Sequence, residues 1–201
     1  MEGFRSAAER AIALNPMDGF TAAHLGFLMA YAGDWERGCA LSEKARLLNP
    51  HHPGWYWFPA FFDAYRKRDY TGALAIAARI NMPGYWRTNV ALASAYGQLG
   101  QREAGQRAVQ ELLALRPDFA AIARQELGKW WDPELTEHLV DGLRKSGLEI
   151  PGNATAAQPV VLPEQSMAGS SGRGASDQPV VTGAAPTAGT RKRKWLARLR
   201  W

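Results

Sequence analysis

The sequence predicts an all-α protein, a solenoid of antiparallel helix pairs followed by a low-complexity tail. Three observations predict it. Leu14-Asn15-Pro16, Leu48-Asn49-Pro50 and Leu115-Arg116-Pro117 each close an amphipathic stretch, with Pro16 and Pro50 34 residues apart and Pro50 and Pro117 67 apart. Pro83 stands where the boundary between the last two belongs. Inside each interval apolar residues recur at helical spacing, and no segment is rich in strand signals. Gly33-Asp34 and Leu99-Gly100 place turn residues midway through two of the intervals.

Residues 3–14 predict a lone second helix of a pair, so residues 1–16 are expected to form an incomplete repeat whose apolar face lacks a partner and invites self-association. The array itself is expected over residues 17–151. Asp18 predicts the cap of a helix from about Gly19 to Ala32, with Phe20, Leu25, Leu28 and Met29 on one stripe. After Gly33, Asp34 is placed to cap a helix from Trp35 to Leu48, with Glu36 in its first turn and Arg46 in its last, both suiting the helix dipole. Gly26 and Ala45 are the small residues expected where these two helices approach closely.

Residues 51–83 are less regular. Pro53 is able to start a helix, but Pro59 removes a backbone donor and predicts a kink or a late start. The partner helix is expected after Asp69, through Ala73, Leu74, Ile76 and Ala77 to Ile80. Residues 84–117 restore the pattern, with Leu92, Ala93 and Tyr96, then Ala108, Val109, Leu112 and Leu113. Asp118 is expected to cap a helix from Phe119 to about Trp131. Asp132-Pro133-Glu134 is a strong start for a last helix bearing Leu135, Leu139, Val140 and Leu143, which ends at Arg144-Lys145 and Gly147. Residues 152–190, dominated by Ala, Gly, Ser, Thr, Pro and Gln, predict a disordered linker, because so little apolar surface does not offset the entropy of ordering it.

Charge divides the chain unevenly. Residues 1–151 hold 17 Lys/Arg and 17 Asp/Glu, whereas residues 152–201 hold 7 and 2, which accounts for the net +5. Arg191, Lys192, Arg193, Lys194, Arg198 and Arg200 lie in the last eleven residues, beside Trp195, Leu196, Leu199 and Trp201. This basic tail, residues 191–201, has three open readings: weak contact with an anionic membrane, contact with nucleic-acid phosphates, or no selected role. The single cysteine, Cys39, excludes an internal disulfide and fits a reducing compartment. The N-terminal residues include Glu2, Arg5, Glu9 and Arg10 and so lack a secretory apolar core, and no apolar run approaches the roughly 18 residues of a membrane span. A cytoplasmic protein is the expectation.

The 34-residue period, terminal prolines and small residues resemble the tetratricopeptide repeat over about residues 3–151. A closer likeness lies in Leu48-Asn49-Pro50-His51-His52-Pro53-Gly54-Trp55-Tyr56-Trp57 with Asp63-Ala64-Tyr65-Arg66, in Ile80-Asn81-Met82-Pro83-Gly84, and in Trp131-Asp132-Pro133-Glu134-Leu135 with Asp141-Gly142-Leu143-Arg144-Lys145. These runs resemble the C-terminal repeat region of bacterial class III adenylate/guanylate cyclase-type signalling proteins. The first resemblance implies a right-handed superhelix whose first helices line a concave groove. The second implies an accessory or regulatory fragment of a cyclase-type protein without its catalytic domain, since no strand-rich segment with paired metal-binding aspartates stands in the sequence.

No residue set predicts catalysis or a cofactor. His51-His52 lacks companion ligands at metal spacing. Cys39 has no base nearby in sequence and reads as packing. Gly169-Ser170-Ser171-Gly172-Arg173-Gly174 follows no strand and lacks the ending of a phosphate loop. The functional expectation is a non-catalytic scaffold that binds a protein or peptide segment. Aligning the repeats puts Phe20, His24, Phe27 and Tyr31, then Trp57, Phe61 and Tyr65, then Arg87, Ser94 and Gln98 on the groove face. For each aromatic, packing between repeats competes with groove lining.

Overall fold

The computed structural model describes residues 2–152, and the predicted linker and basic tail from residue 153 onward lie outside the described residues. Every regular element among them is helical. In order these are α1 (Glu2–Leu14), α2 (Gly19–Tyr31), α3 (Trp35–Leu48), a 3-10 turn (Gly54–Trp57), α4 (Phe58–Arg66), α5 (Tyr70–Ile80), α6 (Trp86–Gln98), α7 (Arg102–Leu115), α8 (Phe119–Leu127) and α9 (Pro133–Lys145). Helices α2 and α3, α4 and α5, and α6 and α7 form three successive antiparallel pairs, so the fold is an all-α array of helix pairs, as the sequence predicts.

Small residues set the spacing of the first pair. A Cβ on Gly26 would meet the Ser42 hydroxyl at 2.5 Å and the Gly38 carbonyl at 2.7 Å, and one on Gly38 would meet the Gly26 carbonyl at 2.7 Å. Ala22, Ala23, Ala45 and Tyr56 form a small core of their own here. The main core runs from Phe58 through Phe61, Tyr65, Ile80 and Val90 to Leu112, Phe119, Leu139 and Leu143.

Capping follows the sequence in part. Asp18 accepts from the amides of Phe20 and Thr21, Asp69 from Gly72, and Asp132 from Leu135. Asp34 stands at the N-cap of α3 without a side-chain capping bond. Asp118 makes none either: its own backbone is already helical (φ −79°, ψ −8°), and its carboxylate is taken by Arg116 at 3.2 Å. Helix α8 stops at Leu127 and not at Trp131, leaving Trp130 and Trp131 in the connection before α9. Pro59 has the predicted effect of a late start. The four residues before α4 wind as a 3-10 turn, with Pro59 in the first turn of the helix.

Helix α9 departs from simple pairwise stacking. It lies on α6 as closely as a repeat partner would, running antiparallel to it: Ser146 is opposite Ala93, Gly142 opposite Gly97 and Ser94, and Asp141 opposite Gln98. A Cβ on Gly142 would meet the Ser94 carbonyl and the Tyr65 hydroxyl, each at 2.5 Å, so only glycine permits this approach. Leu139 and Leu143 are fully buried, with Val140 and Leu135 nearly so. Each such side chain contributes about 1.5–3 kcal/mol of burial. After α9, Gly147 (φ +92°) turns the chain so that Leu148 and Ile150 return to the core.

Candidate functional site

The expected groove face divides into an open part and a covered part. On α2, Phe20 is 62% exposed and packs on His24, ring centroids 4.2 Å apart. His24 meets Trp55 of the 3-10 turn edge-on at 4.7 Å, and Trp55 also meets Phe20 at 6.3 Å and Phe27 at 6.1 Å. The result is an aromatic face made by the first repeat and the entry to the second. The turn Met17 and the last residue of α1, Leu14, are exposed just before it.

From the end of α2 onward, and over the second and third repeats, the same face is occupied by the chain itself. Tyr31 packs against Trp130 at 5.2 Å and edge-on against Trp131 at 4.3 Å, and Trp131 also covers Trp35 and Phe62. Phe61 is fully buried, as is Tyr65, whose hydroxyl donates to the His138 carbonyl at 3.0 Å. Arg87 lies over the rings of Trp86 and Trp130 at 4.8 and 4.9 Å. Ser94 is buried under Gly142 and donates to the Val90 carbonyl within its own helix. Gln98 donates to Asp141 at 2.9 Å and accepts from Lys145 at 2.9 Å. Thus Tyr31, Tyr65, Arg87, Ser94 and Gln98 hold the α8–α9 segment, where the sequence expectation had them lining an open groove.

Trp57 lies elsewhere. Its ring is sandwiched by Arg46 of α3 at 4.0 Å and Arg79 of α5 at 4.9 Å, between the second helices of two pairs. Repeat alignment misplaced it because it counted Trp57 within the first helix of its repeat, whereas that helix starts at Phe58 and Trp57 stands at its N-cap. Trp55, within the 3-10 turn, is the tryptophan that packs on Phe20, His24 and Phe27 of α2.

Around His138 a polar cavity of about 290 Å³ opens between the α4–α5 turn, the end of α6, and α9; it is lined by Arg66, Arg68, Tyr70, Glu134, Asp141 and Lys145 among others. The Tyr70 hydroxyl and His138 Nε2 are 2.8 Å apart. Burial first, and then the charge of Arg68, hold the His138 imidazole below its ordinary pKa. Of the residues lining it, the sequence had placed only Gln98 on the groove face. The one available signal was the Trp130-Trp131 pair before a capped helix, since two tryptophans in a connection call for a surface to bury them.

The residues weighed for chemistry have packing roles. The Cys39 sulfur lies 3.6 Å from the Pro59 carbonyl oxygen, and burial, then the charge of Asp63, push the thiol up to about 11, so it stays protonated. His52 stacks on Tyr56 at 5.1 Å. Among the described residues no three or more His, Cys, Asp or Glu gather as metal ligands would, and no helix is long and apolar enough to cross a membrane.

Among solved structures, the chain is similar to one described as MamA RS-1 ArsTM double mutant. The identity is 19%, the TM-score 0.49, and the match covers 72% of this chain and 93% of that one. No family model matches the sequence. No curated protein matches it either. The likeness to cyclase-type repeat regions rests on the short sequence runs alone.

Proposed function

We propose that this chain is a protein-interaction module that binds an extended or helical segment of another protein on the aromatic face of its first repeat. The observation behind the reading is the exposed Phe20 ring, backed by His24, Trp55 and Phe27. Aromatic side chains on a rigid helix offer large contact area with few torsions to freeze, the property that makes such residues binding hot spots. The face over the second and third repeats is closed by α9, so a partner entering from the open end meets Phe20 first. The cyclase-accessory role rests on the short sequence runs alone.

Selection of a displayed peptide library against the whole chain tests this. Enriched peptides are expected to lose at least about tenfold in affinity for Phe20→Ser, equal to about 1.4 kcal/mol. Leu115→Ser, which alters an exposed apolar residue on α7, is the control and should bind them normally. Peptides that bind Phe20→Ser as tightly as the wild type would defeat the reading.

A further inference from the structure

Four helices end in the same hydrogen-bonded turn, and one of the four breaks a backbone rule. After α2, the Gly33 amide donates to Ala30 and the Asp34 amide to Met29; after α6, Gly100 donates to Gly97 and Gln101 to Tyr96; after α9, Gly147 donates to Arg144 and Leu148 to Leu143. After α4 the same pair of bonds runs from Arg68 to Tyr65 and from Asp69 to Ala64. This turn requires a left-handed residue. Glycine supplies it three times, with φ of +86°, +69° and +92°, while Arg68 supplies it at φ +65°. A side chain at that conformation is strained, and retained strain marks places where the side chain has a use beyond the turn.

The side chain of Arg68 lines the polar cavity beside His138. The other charges there are largely committed. Arg66 pairs with Asp63 at 2.6 Å and lies over Trp35 at 4.8 Å, and Lys145 pairs with Asp141 at 2.7 Å. Arg68 has no acidic group within 4.0 Å among the described residues. Near it are two further polar donors or acceptors, the Tyr70 hydroxyl and the His138 ring. Glu134 is the remaining lining charge and opposes an anion, yet the lining carries three guanidinium or ammonium groups against two carboxylates.

We propose that this cavity binds a small oxyanion ligand, a carboxylate or a phosphate, with Arg68 as its principal anchor and Tyr70 and Lys145 at its sides. A planar guanidinium with five donors suits a two-oxygen contact with either group. The site is built by the α4–α5 turn and closed by α9, so it exists only when α9 is docked on α6. Binding there accordingly stabilises the docked form by mass action.

The test titrates the whole chain with inorganic phosphate and, separately, with acetate, at ionic strength held constant with chloride. The imidazole resonances of His138 and the melting temperature report the result. Saturable shifts with one oxyanion and not with chloride are expected, and the anion that acts identifies the class. Arg68→Gly relieves the strained turn and removes the anchor, so two opposite effects are expected from one substitution. It should raise the ligand-free melting temperature by about 2–4 °C and weaken anion binding at least tenfold. Glu134→Gln should tighten binding about two- to fivefold by removing the opposing charge. Three results would overturn the proposal: identical shifts with chloride, undiminished binding to Arg68→Gly, or a lower melting temperature for that variant, which would make Arg68 a residue kept for the fold.

Discussion

The first repeat and the third repeat present the same helix face to opposite fates. On α2 the face ends in Phe20, exposed to solvent, with His24 and Trp55 behind it. On α6 it ends in Ser94 and Gln98, which are engaged by α9. The difference lies in side-chain size. Gly97, Ser94 and Gly105 leave α6 and α7 a shallow surface, and Gly142 and Ser146 let α9 settle onto it. The Ser146 hydroxyl donates to the Ala93 carbonyl at 2.6 Å, and its Cβ and Cα line the space beside Gly105. On α2 the equivalent face carries the bulky rings of Phe20 and Phe27, which pack on Trp55 of the 3-10 turn. One face of a repeat therefore becomes core or binding surface according to whether small residues permit a second helix.

The two ends should also differ in stability. The first repeat buries mainly alanines, which remove little apolar area from water, while the α6–α9 end buries Leu112, Leu139 and Leu143 completely. Helix α1 adds little, with Ala8 buried and one exposed pair, Glu9 with Arg37 at 3.0 Å, of the kind that contributes at most about 1 kcal/mol. Native-state hydrogen exchange is expected to show α1 opening first and α6 and α9 last. Equal protection in α1 and α6 would erase the contrast.

Substitutions probe the same contrast with graded effects. Leu139→Ala should have the largest, about 2–5 kcal/mol in urea unfolding, because it empties a fully enclosed site between α9 and the main core. Gly142→Ala comes next, at about 1–3 kcal/mol, since the added methyl meets the Ser94 carbonyl and the Tyr65 hydroxyl. Tyr65→Phe should lose about 1 kcal/mol by leaving the His138 carbonyl with Gln98 alone at 3.4 Å. Phe20→Ser should fall within about 0.5 kcal/mol of the wild type, as a surface position would. A loss from Phe20→Ser as large as that from Gly142→Ala would mean that the open face is structural.

Just below neutral pH, an effect is expected at the α9 end. Burial and Arg68 depress the folded-state pKa of His138 below 6.5, so the fold favours the neutral ring. The unfolded chain takes up a proton first as pH falls below about 6.5, and stability declines from there down to the depressed folded-state value. Lys145 adds to the depression, while Asp141 and Glu134 oppose it. His138→Gln should flatten this part of the stability profile, and an unchanged slope would remove His138 as its source.

Much of the fold was legible in the sequence because it is local. A 34-residue spacing of prolines, glycine turns and apolar stripes acts through neighbours in the chain, and so Trp35–Leu48, Tyr70–Ile80 and the Asp132-Pro133 start of α9 were visible before any tertiary contact. The acidic cap at Asp118 failed for a local reason too, since Arg116 competes for the same carboxylate. Trp57 was misassigned because α4 starts only at Phe58 and leaves Trp57 at the cap, where its ring meets Arg46 and Arg79. The docking of α9 was illegible for a different reason: Gly97, Gly142 and Ser146 are unremarkable small residues until two helices more than 40 positions apart meet through them. By itself, then, the sequence determined the helices, their pairing and the neutrality of the folded region. Tertiary structure alone decided which part of the repeat face is filled and which is open, and it brought Arg68 and His138 to one cavity, because contacts between distant segments depend on complementary shape that no periodicity records.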